Sequence, residues 1–230
     1  MNTRGVTEVL LMKAWMETRW RILGLAVYLL IALALKYRNP EGTGVLTTAW
    51  FMLTFLAILL GGSGVNSQAP LGLSEGIAGS TQFTISLPVT RLRMLGTRAA
   101  VGLVETAAVT AITAFLIWAL FPATRETTTP ADFARLALTT ILFLAVPYCA
   151  HVFCSTWSEE PFSLAYAGGS VILLLLLCHH LAPGVDIIRA FSEASPLETH
   201  QVPWSQLTPS VVAAVILLLA AGLVVRRREY

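Results

Sequence analysis

One carboxylate, Glu105, lies well inside a long apolar run of the chain. A charged side chain at membrane depth is costly, so such a residue is a candidate functional site. Arg98 precedes it by seven residues and would lie on roughly the same helix face. Glu105 could pair with a basic group near the inner surface of the membrane, such as Arg98 or one from a helix predicted near the N-terminus. It could instead serve a proton or cation path, or line a substrate cavity.

The histidines and cysteines form no recognisable metal or catalytic motif. His151 and Cys154 are three residues apart, and His179 and His180 are adjacent. A zinc site needs three or four converging ligands, so packing and interface hydrogen bonding are the better interpretation. Serine, histidine and aspartate residues are scattered over opposite sides of the membrane, which disfavours a catalytic triad. We therefore predict no catalytic residue, no metal site and no enzymatic activity in this chain.

The composition is typical of a membrane protein. Hydrophobic residues make up 56% of the 230 positions and charged residues only 12%, and the mean hydropathy is +0.72. A helix of about 20 apolar residues crosses a hydrocarbon core about 30 Å thick. Six runs of this kind predict six transmembrane helices, at residues 21–37, 45–65, 99–121, 133–154, 162–182 and 209–225.

The expected fold class is therefore an all-α polytopic membrane protein, with residues 1–230 forming a single transmembrane domain. A transmembrane barrel is excluded because its strands would alternate apolar and polar residues over about 10 positions. Small residues within the predicted spans, such as Gly61, Gly62, Gly168 and Gly169, predict close approach of helices within the bundle or across a dimer seam.

Both ends of the chain are predicted to lie in the cytoplasm. With the N-terminus inside, ten of the 15 Lys and Arg residues flank the inner ends of the spans and five flank the outer ends. Basic residues beside spans are retained on the cytoplasmic side. Residues 3–20 mix apolar and charged residues and lead directly into the first span. They predict an amphipathic helix at the interface, with Trp15 and Trp20 at headgroup depth.

Residues 66–98 form the longest cytoplasmic loop of this topology. Proline cannot lie deep inside a regular helix, so one short element is expected to end near Leu87 and another to start at Pro88. Glycines precede these elements, and Arg91 and Arg93 follow them. The pattern predicts a short rigid element at the membrane surface.

The same loop resembles the signature of the type-two ABC exporter permeases. In that family a Glu, a Gly-Thr pair four residues on and a Leu-Pro-Val-Ser-Arg-like stretch lie between the second and third spans. The matching residues here are Glu75, Gly79-Ser80, Phe83, Ser86-Leu87-Pro88-Val89-Thr90-Arg91 and Gly96-Thr97-Arg98. Ser80 stands where the family has Thr, and Arg98 stands where it has Lys. The strict match covers residues 75–98, and the six-span pattern extends it loosely over the chain.

The resemblance implies a permease subunit of the cell (inner) membrane that works with two copies of a separate ATPase. A second permease subunit, identical or different, would complete a dimer. The loop would act as a coupling helix in a groove of the ATPase, using Glu75, Gly79, Phe83, Leu87, Pro88, Arg91 and Arg93. The inner loop with Glu159 and Glu160 would be a second contact, although an ordinary tight connection explains that loop equally well.

Nucleotide binding is expected in the partner chain. A Walker A loop needs Gly-Lys followed by Ser or Thr to hold phosphates. The two lysines of this chain, Lys13 and Lys36, follow Met12 and Leu35. ATP and Mg²⁺ would therefore bind the ATPase, and we predict no cofactor here.

The expected function is outward movement of a lipid-like, drug-like or peptide cargo. An ion-coupled secondary transporter and a non-transporting membrane scaffold or assembly protein are the alternatives. Membrane lipids are expected partners. Nucleic acid is not, because the basic residues are scattered beside the spans rather than gathered in one stripe.

Overall fold

The computed structural model describes residues 3–38, 44–62, 90–121, 125–126, 128–158, 162–181, 191 and 195–227. The helices of this part are Thr3–Arg38 (α1), Gly44–Gly62 (α2), Arg91–Leu120 (α3), Pro130–Ser155 (α4), Phe162–Leu181 (α5), Pro196–Thr199 (α6) and Trp204–Arg227 (α7). Most of each apolar run predicted as a span lies within one long helix. The prediction of an all-α fold is confirmed for the described residues.

Three helices of the described chain, α3, α4 and α7, are long and apolar enough to cross a bilayer. Shorter apolar helical segments occur in α2 and α5, at Ala49–Gly61 and Phe162–Leu177. Large apolar side chains on the outside of the bundle, such as Phe115 and Leu219, are more than half exposed. Lipid accommodates such a surface far better than water does. The chain is therefore a membrane-embedded helical protein.

The interfacial helix predicted over residues 3–20 and the first span predicted over 21–37 form one continuous helix, α1. Residues 17–22 contain neither glycine nor proline, so nothing in the local sequence ends the helix there. Ala14 and Thr18 are buried one turn apart and contact α3. The second half of the predicted interfacial helix thus packs against the bundle and runs in the same direction as α3.

Helix α4 is the centre of the bundle, in contact with α2, α3, α5, α6 and α7. It runs parallel to α2, because Trp50 stacks on Phe143 and the Ile58 carbonyl meets His151 further along both helices. Its buried face supplies much of the main apolar core. Helix α4 also reaches the start of α3, where the Tyr148 hydroxyl lies 3.4 Å from the carbonyl oxygen of Arg98.

Contacts near their ends give the directions of α3 and α7. Tyr148, near the end of α4, bonds the carbonyl of Ala99 near the start of α3, so these two helices are antiparallel. Leu92 approaches Gly222, which places the last turns of α7 beside the first turn of α3. The start of α1, the start of α3 and the end of α7 therefore lie at one end of the bundle. We call this the terminal end, and the opposite one the far end.

Glycines bring α2 and α3 close to α4. A Cβ at Gly61 would clash with the carbonyl oxygen of Tyr148, and one at Gly102 would clash with the phenol of the same residue. The predicted close approach at Gly61 is confirmed. A Cβ at Gly168 or Gly169 would instead meet no described atom within 4 Å. These two glycines are not needed for packing within the described part of the chain.

Candidate functional site

The residues predicted to contact an ATPase are only partly described. Glu75, Gly79, Phe83, Leu87, Pro88, Glu159 and Glu160 lie outside the described residues. Arg91 and Arg93 lie within them, and both are exposed at the terminal end.

Helix α3 starts at Arg91 because Thr90 caps it. The Thr90 backbone is extended (φ −65°, ψ 143°), and its side-chain oxygen accepts a 3.3 Å hydrogen bond from the Arg93 backbone N–H. A threonine cap of this kind satisfies one of the free N–H groups of the first turn.

Exposed basic residues collect at the terminal end. Arg91 and Arg93 occupy the first turn of α3, and Arg226 and Arg227 occupy the last turn of α7. The two turns are neighbours, so their charges form one surface. Arginine in the last turn also interacts favourably with the helix dipole. This surface can attract acidic side chains of a partner or anionic lipid headgroups.

Glu105 and Arg98 lie on the face of α3 that packs against α1, and each is only 8% exposed. Oε1 of Glu105 accepts a 2.7 Å hydrogen bond from the Thr18 hydroxyl. Nη1 of Arg98 donates a 2.8 Å hydrogen bond to the Ala14 carbonyl oxygen. The guanidinium of Arg98 also interacts electrostatically with Glu105. Glu105 therefore lies near Arg98 and contacts the N-terminal helix, although that helix supplies the hydroxyl of Thr18 rather than a basic group.

The cluster joins α1 to α3 through two hydrogen bonds. Thr18 is fully buried and also contacts the Ala14 carbonyl oxygen at 3.0 Å, so one turn of α1 supplies both contacts to α3. The opposite charges of Arg98 and Glu105 reduce the cost of burying either one. Oε2 of Glu105 makes no hydrogen bond within the described part of the chain. The sequence singled out Glu105 and Arg98 but not Thr18, which no local pattern distinguishes.

His151 connects three helices. Its Nδ1 contacts the carbonyl oxygen of Ile58 on α2, and its Nε2 lies 3.1 Å from the hydroxyl of Ser163 on α5. A carbonyl oxygen only accepts, so Nδ1 carries the proton and Nε2 accepts from Ser163 in a neutral imidazole. Both side chains are fully buried. His151 therefore makes hydrogen bonds between helices, as predicted, and Ser163 is the partner that the sequence did not reveal.

Asp132 organises a second polar cluster at the far end. Oδ2 accepts hydrogen bonds from the Thr129 backbone N–H (3.1 Å) and hydroxyl (2.7 Å), which makes a capping box at the start of α4. Oδ1 accepts from Arg135 (2.7 Å) and lies 2.9 Å from Nδ1 of His200. His200 ends α6 in the left-handed conformation (φ 54°). The sequence interpretation missed this cluster, although Thr129-Pro130-Ala131-Asp132 is a recognisable helix-start pattern.

A cavity of about 870 Å³ lies between α2, α3, α4 and α5, toward the far end. Its wall is almost wholly apolar, and the hydroxyls on it donate to carbonyls one turn earlier in their own helices, as seen at Thr54, Thr110, Thr113 and Thr140. Glu105 is not part of this wall. The cavity suits an apolar ligand, in a size range typical of small-molecule sites.

No family model matches this chain, and no curated protein or solved structure matches it significantly. The functional assignment therefore depends on the residues themselves and on their arrangement. Three features bear on it: the basic surface of the terminal end, the ionic cluster between α1 and α3, and the apolar cavity.

Proposed function

We propose that this chain is the permease subunit of an ATP-driven exporter, which moves a lipid-like, drug-like or peptide cargo with energy from a separate ATPase. The observation that carries the proposal is the construction of α3. This single 30-residue helix begins with the exposed Arg91 and Arg93, which belong to the exporter-like segment 75–98. It ends beside the cavity, whose wall includes Thr113 and Ile117.

A continuous helix can transmit a displacement from one end to the other. At a rise of about 1.5 Å per residue, Arg91 and Ile117 are about 39 Å apart along α3. A partner that displaced the first turn of α3 would therefore move the cavity wall. Helix α1 would follow, because Thr18 and Ala14 are bonded to α3. Rigid-body movement of packed helices is a common way of coupling two distant sites.

The charge distribution supports a cytoplasmic terminal end. Arg91, Arg93, Arg226 and Arg227 are exposed there, and basic residues beside spans mark the cytoplasmic side. The proposal includes six spans, formed by α1, α2, α3, α4, α5 and α7. The half-exposed apolar side chains of α1, such as Leu23, suit contact with lipid.

A charge reversal tests whether the first turn of α3 contacts the ATPase. The full chain is purified with its candidate ATPase, taken from a neighbouring reading frame with a Walker A loop, and reconstituted in liposomes. Arg91→Glu with Arg93→Glu should abolish assembly and permease-stimulated ATP hydrolysis. Arg226→Glu with Arg227→Glu changes the charge equally on the neighbouring turn and should have a smaller effect. Unchanged assembly and turnover in the first variant would contradict the proposal.

Ion-coupled transport is a second candidate, favoured by the buried carboxylate of Glu105, whose Oε2 makes no hydrogen bond to the described residues. It predicts uptake driven by a proton or cation gradient in liposomes that contain this chain alone, without nucleotide. Glu105→Gln should abolish that uptake. Gradient-driven activity of the chain alone would favour this candidate over the exporter, and its absence would count against it.

A further inference from the structure

The cavity is about as long as a lipid hydrocarbon chain that spans one leaflet of a bilayer. On α5 its wall runs from Leu164 to Leu176, which is about 18 Å at a rise of about 1.5 Å per residue. One leaflet of a hydrocarbon core about 30 Å thick is about 15 Å deep. The cavity therefore extends, parallel to the helices, over about the depth of one leaflet.

The rim of the cavity lies on the outer surface of the bundle between α2 and α5. Phe51 and Phe55 on α2 and Ile172 and Leu176 on α5 line the cavity, yet their side chains are 50% to 61% exposed in the described structure. On a membrane-embedded bundle such an apolar surface faces lipid chains. A bilayer lipid can therefore place a chain in the cavity without that chain crossing water.

One polar group of a residue that lines the cavity has no partner within the described part of the chain. The indole Nε1 of Trp50 is buried and makes no hydrogen bond within the described residues. The indole ring is held in place, since it stacks on Phe143 with centroids 5.2 Å apart and contacts Phe191 at 5.5 Å. A buried N–H without an acceptor is unfavourable. A ligand that carries a carbonyl oxygen at this level would supply the acceptor.

Polar residues lie at the far end of the cavity and just beyond its wall. Ser195 lines the cavity there and caps α6, and Phe133 of the wall directly follows Asp132. Asp132 and its partner His200 form the polar cluster beyond the wall. An amphiphile would therefore lie with its chain along the helices and its polar part at the far end.

We propose that this cavity binds one acyl chain of a bilayer phospholipid, with the ester carbonyl accepting a hydrogen bond from Trp50. The length of the cavity, its lipid-facing rim and the unpartnered indole N–H all fit this occupant. The site lies within one subunit. The inference does not depend on the proposed exporter function, since it concerns binding by this chain alone.

Two adjacent glycines provide a test with a matched control. Gly168 lines the cavity and Gly169 does not, and a Cβ at either one would meet no described atom within 4 Å. The full-length chain is purified in detergent and titrated with dipalmitoyl phosphatidylcholine, and bound lipid is measured by native mass spectrometry. Wild type and Gly169→Phe should hold one lipid. Gly168→Phe should weaken that binding at least tenfold by filling the cavity.

Trp50→Phe tests the hydrogen bond separately while keeping an aromatic ring in place. Loss of one hydrogen bond should weaken lipid binding about three- to tenfold. This variant also keeps the proposal testable if Gly168→Phe fails to fold, which circular dichroism and the unfolding temperature would reveal. An unchanged affinity in Trp50→Phe would overturn the role of the indole.

Other results would overturn the site itself. Equal lipid binding by Gly168→Phe and Gly169→Phe would mean that lipid is held only on the outer surface. The absence of a tightly held lipid from the wild type would also overturn the site. Light scattering identifies the rival occupant: a dimer of the wild type that Gly168→Phe dissociates, with lipid binding unchanged, would show that a second copy of the chain covers this rim.

Discussion

Thr18 and Glu105 are 87 residues apart in the sequence, and a 2.7 Å hydrogen bond joins them inside the helix bundle. The bond places the first half of α1 beside the only buried carboxylate of the described part of α3. Arg98 makes a second connection to the same turn of α1 through the Ala14 carbonyl. Helix α1 is thereby tied to the helix that carries the exposed Arg91 and Arg93.

The Thr18–Glu105 bond should contribute measurable stability. Thr18→Val keeps the shape of the side chain and removes the hydroxyl. In a double-mutant cycle with Glu105→Leu, which removes the acceptor, we expect a coupling energy of roughly 0.5–2 kcal/mol, the range of hydrogen bonds between membrane helices. Unfolding in mixed micelles measures it. Thr106→Val is the control, because Thr106 donates only to Gly102 of its own helix. A coupling energy near zero would contradict the assignment.

Arg98 should stabilise the folded protein by offsetting the cost of burying the charge of Glu105. Arg98→Met removes the cation while retaining an apolar stem, so the buried carboxylate loses its charged neighbour. We expect a loss of about 3 kcal/mol in the free energy of unfolding. Adding Glu105→Gln should restore part of that loss, because the uncompensated charge disappears. If the double variant is as unstable as Arg98→Met alone, the electrostatic contact between the two residues is not important for stability.

Two glycine substitutions should have opposite effects. Gly61→Ala places a Cβ against the Tyr148 carbonyl oxygen, and a backbone atom cannot easily move away. Overpacking of this kind costs about 1–3 kcal/mol. Gly96→Ala meets open space on an exposed face of α3 and should stabilise the helix by about 0.5–1 kcal/mol. Thermal unfolding of the two variants in the same detergent tests this, and a similar change in both would refute the packing role of Gly61.

The Asp132 cluster should hold the segment before α7 against α4. Asp132→Asn removes the charge that Arg135 and His200 contact, so residues 195–203 should lose protection in amide hydrogen exchange. The unfolding temperature should fall as well, because the capping box at the start of α4 is weakened. Glu198→Gln removes a carboxylate from the exposed surface of the same segment and should leave exchange unchanged. Equal exchange in the two variants would argue against the connection.

Composition and hydropathy determined the helices of this protein. In a bilayer every backbone N–H and C=O must be bonded within the protein, so a long apolar run becomes a helix. For that reason the runs at 99–121 and 133–154 lie within α3 and α4. Helix ends were less accurate, since α3 starts at Arg91 although the span was predicted from residue 99, and no break separates residues 20 and 21. These boundaries depend on single capping residues and on the absence of helix breakers.

Only the tertiary structure decided which polar groups meet. The partners of Glu105 and His151 lie on other helices, and their pairing depends on how each helix is rotated and how closely it packs. Close packing is set by contacts such as Gly61 against Tyr148, which span almost ninety positions of sequence. The cavity could not be predicted from the sequence either, because its wall and the packed core are built from the same apolar residue types. Hydropathy places such residues within a bundle, and only the geometry of the helices separates a filled interior from an open one.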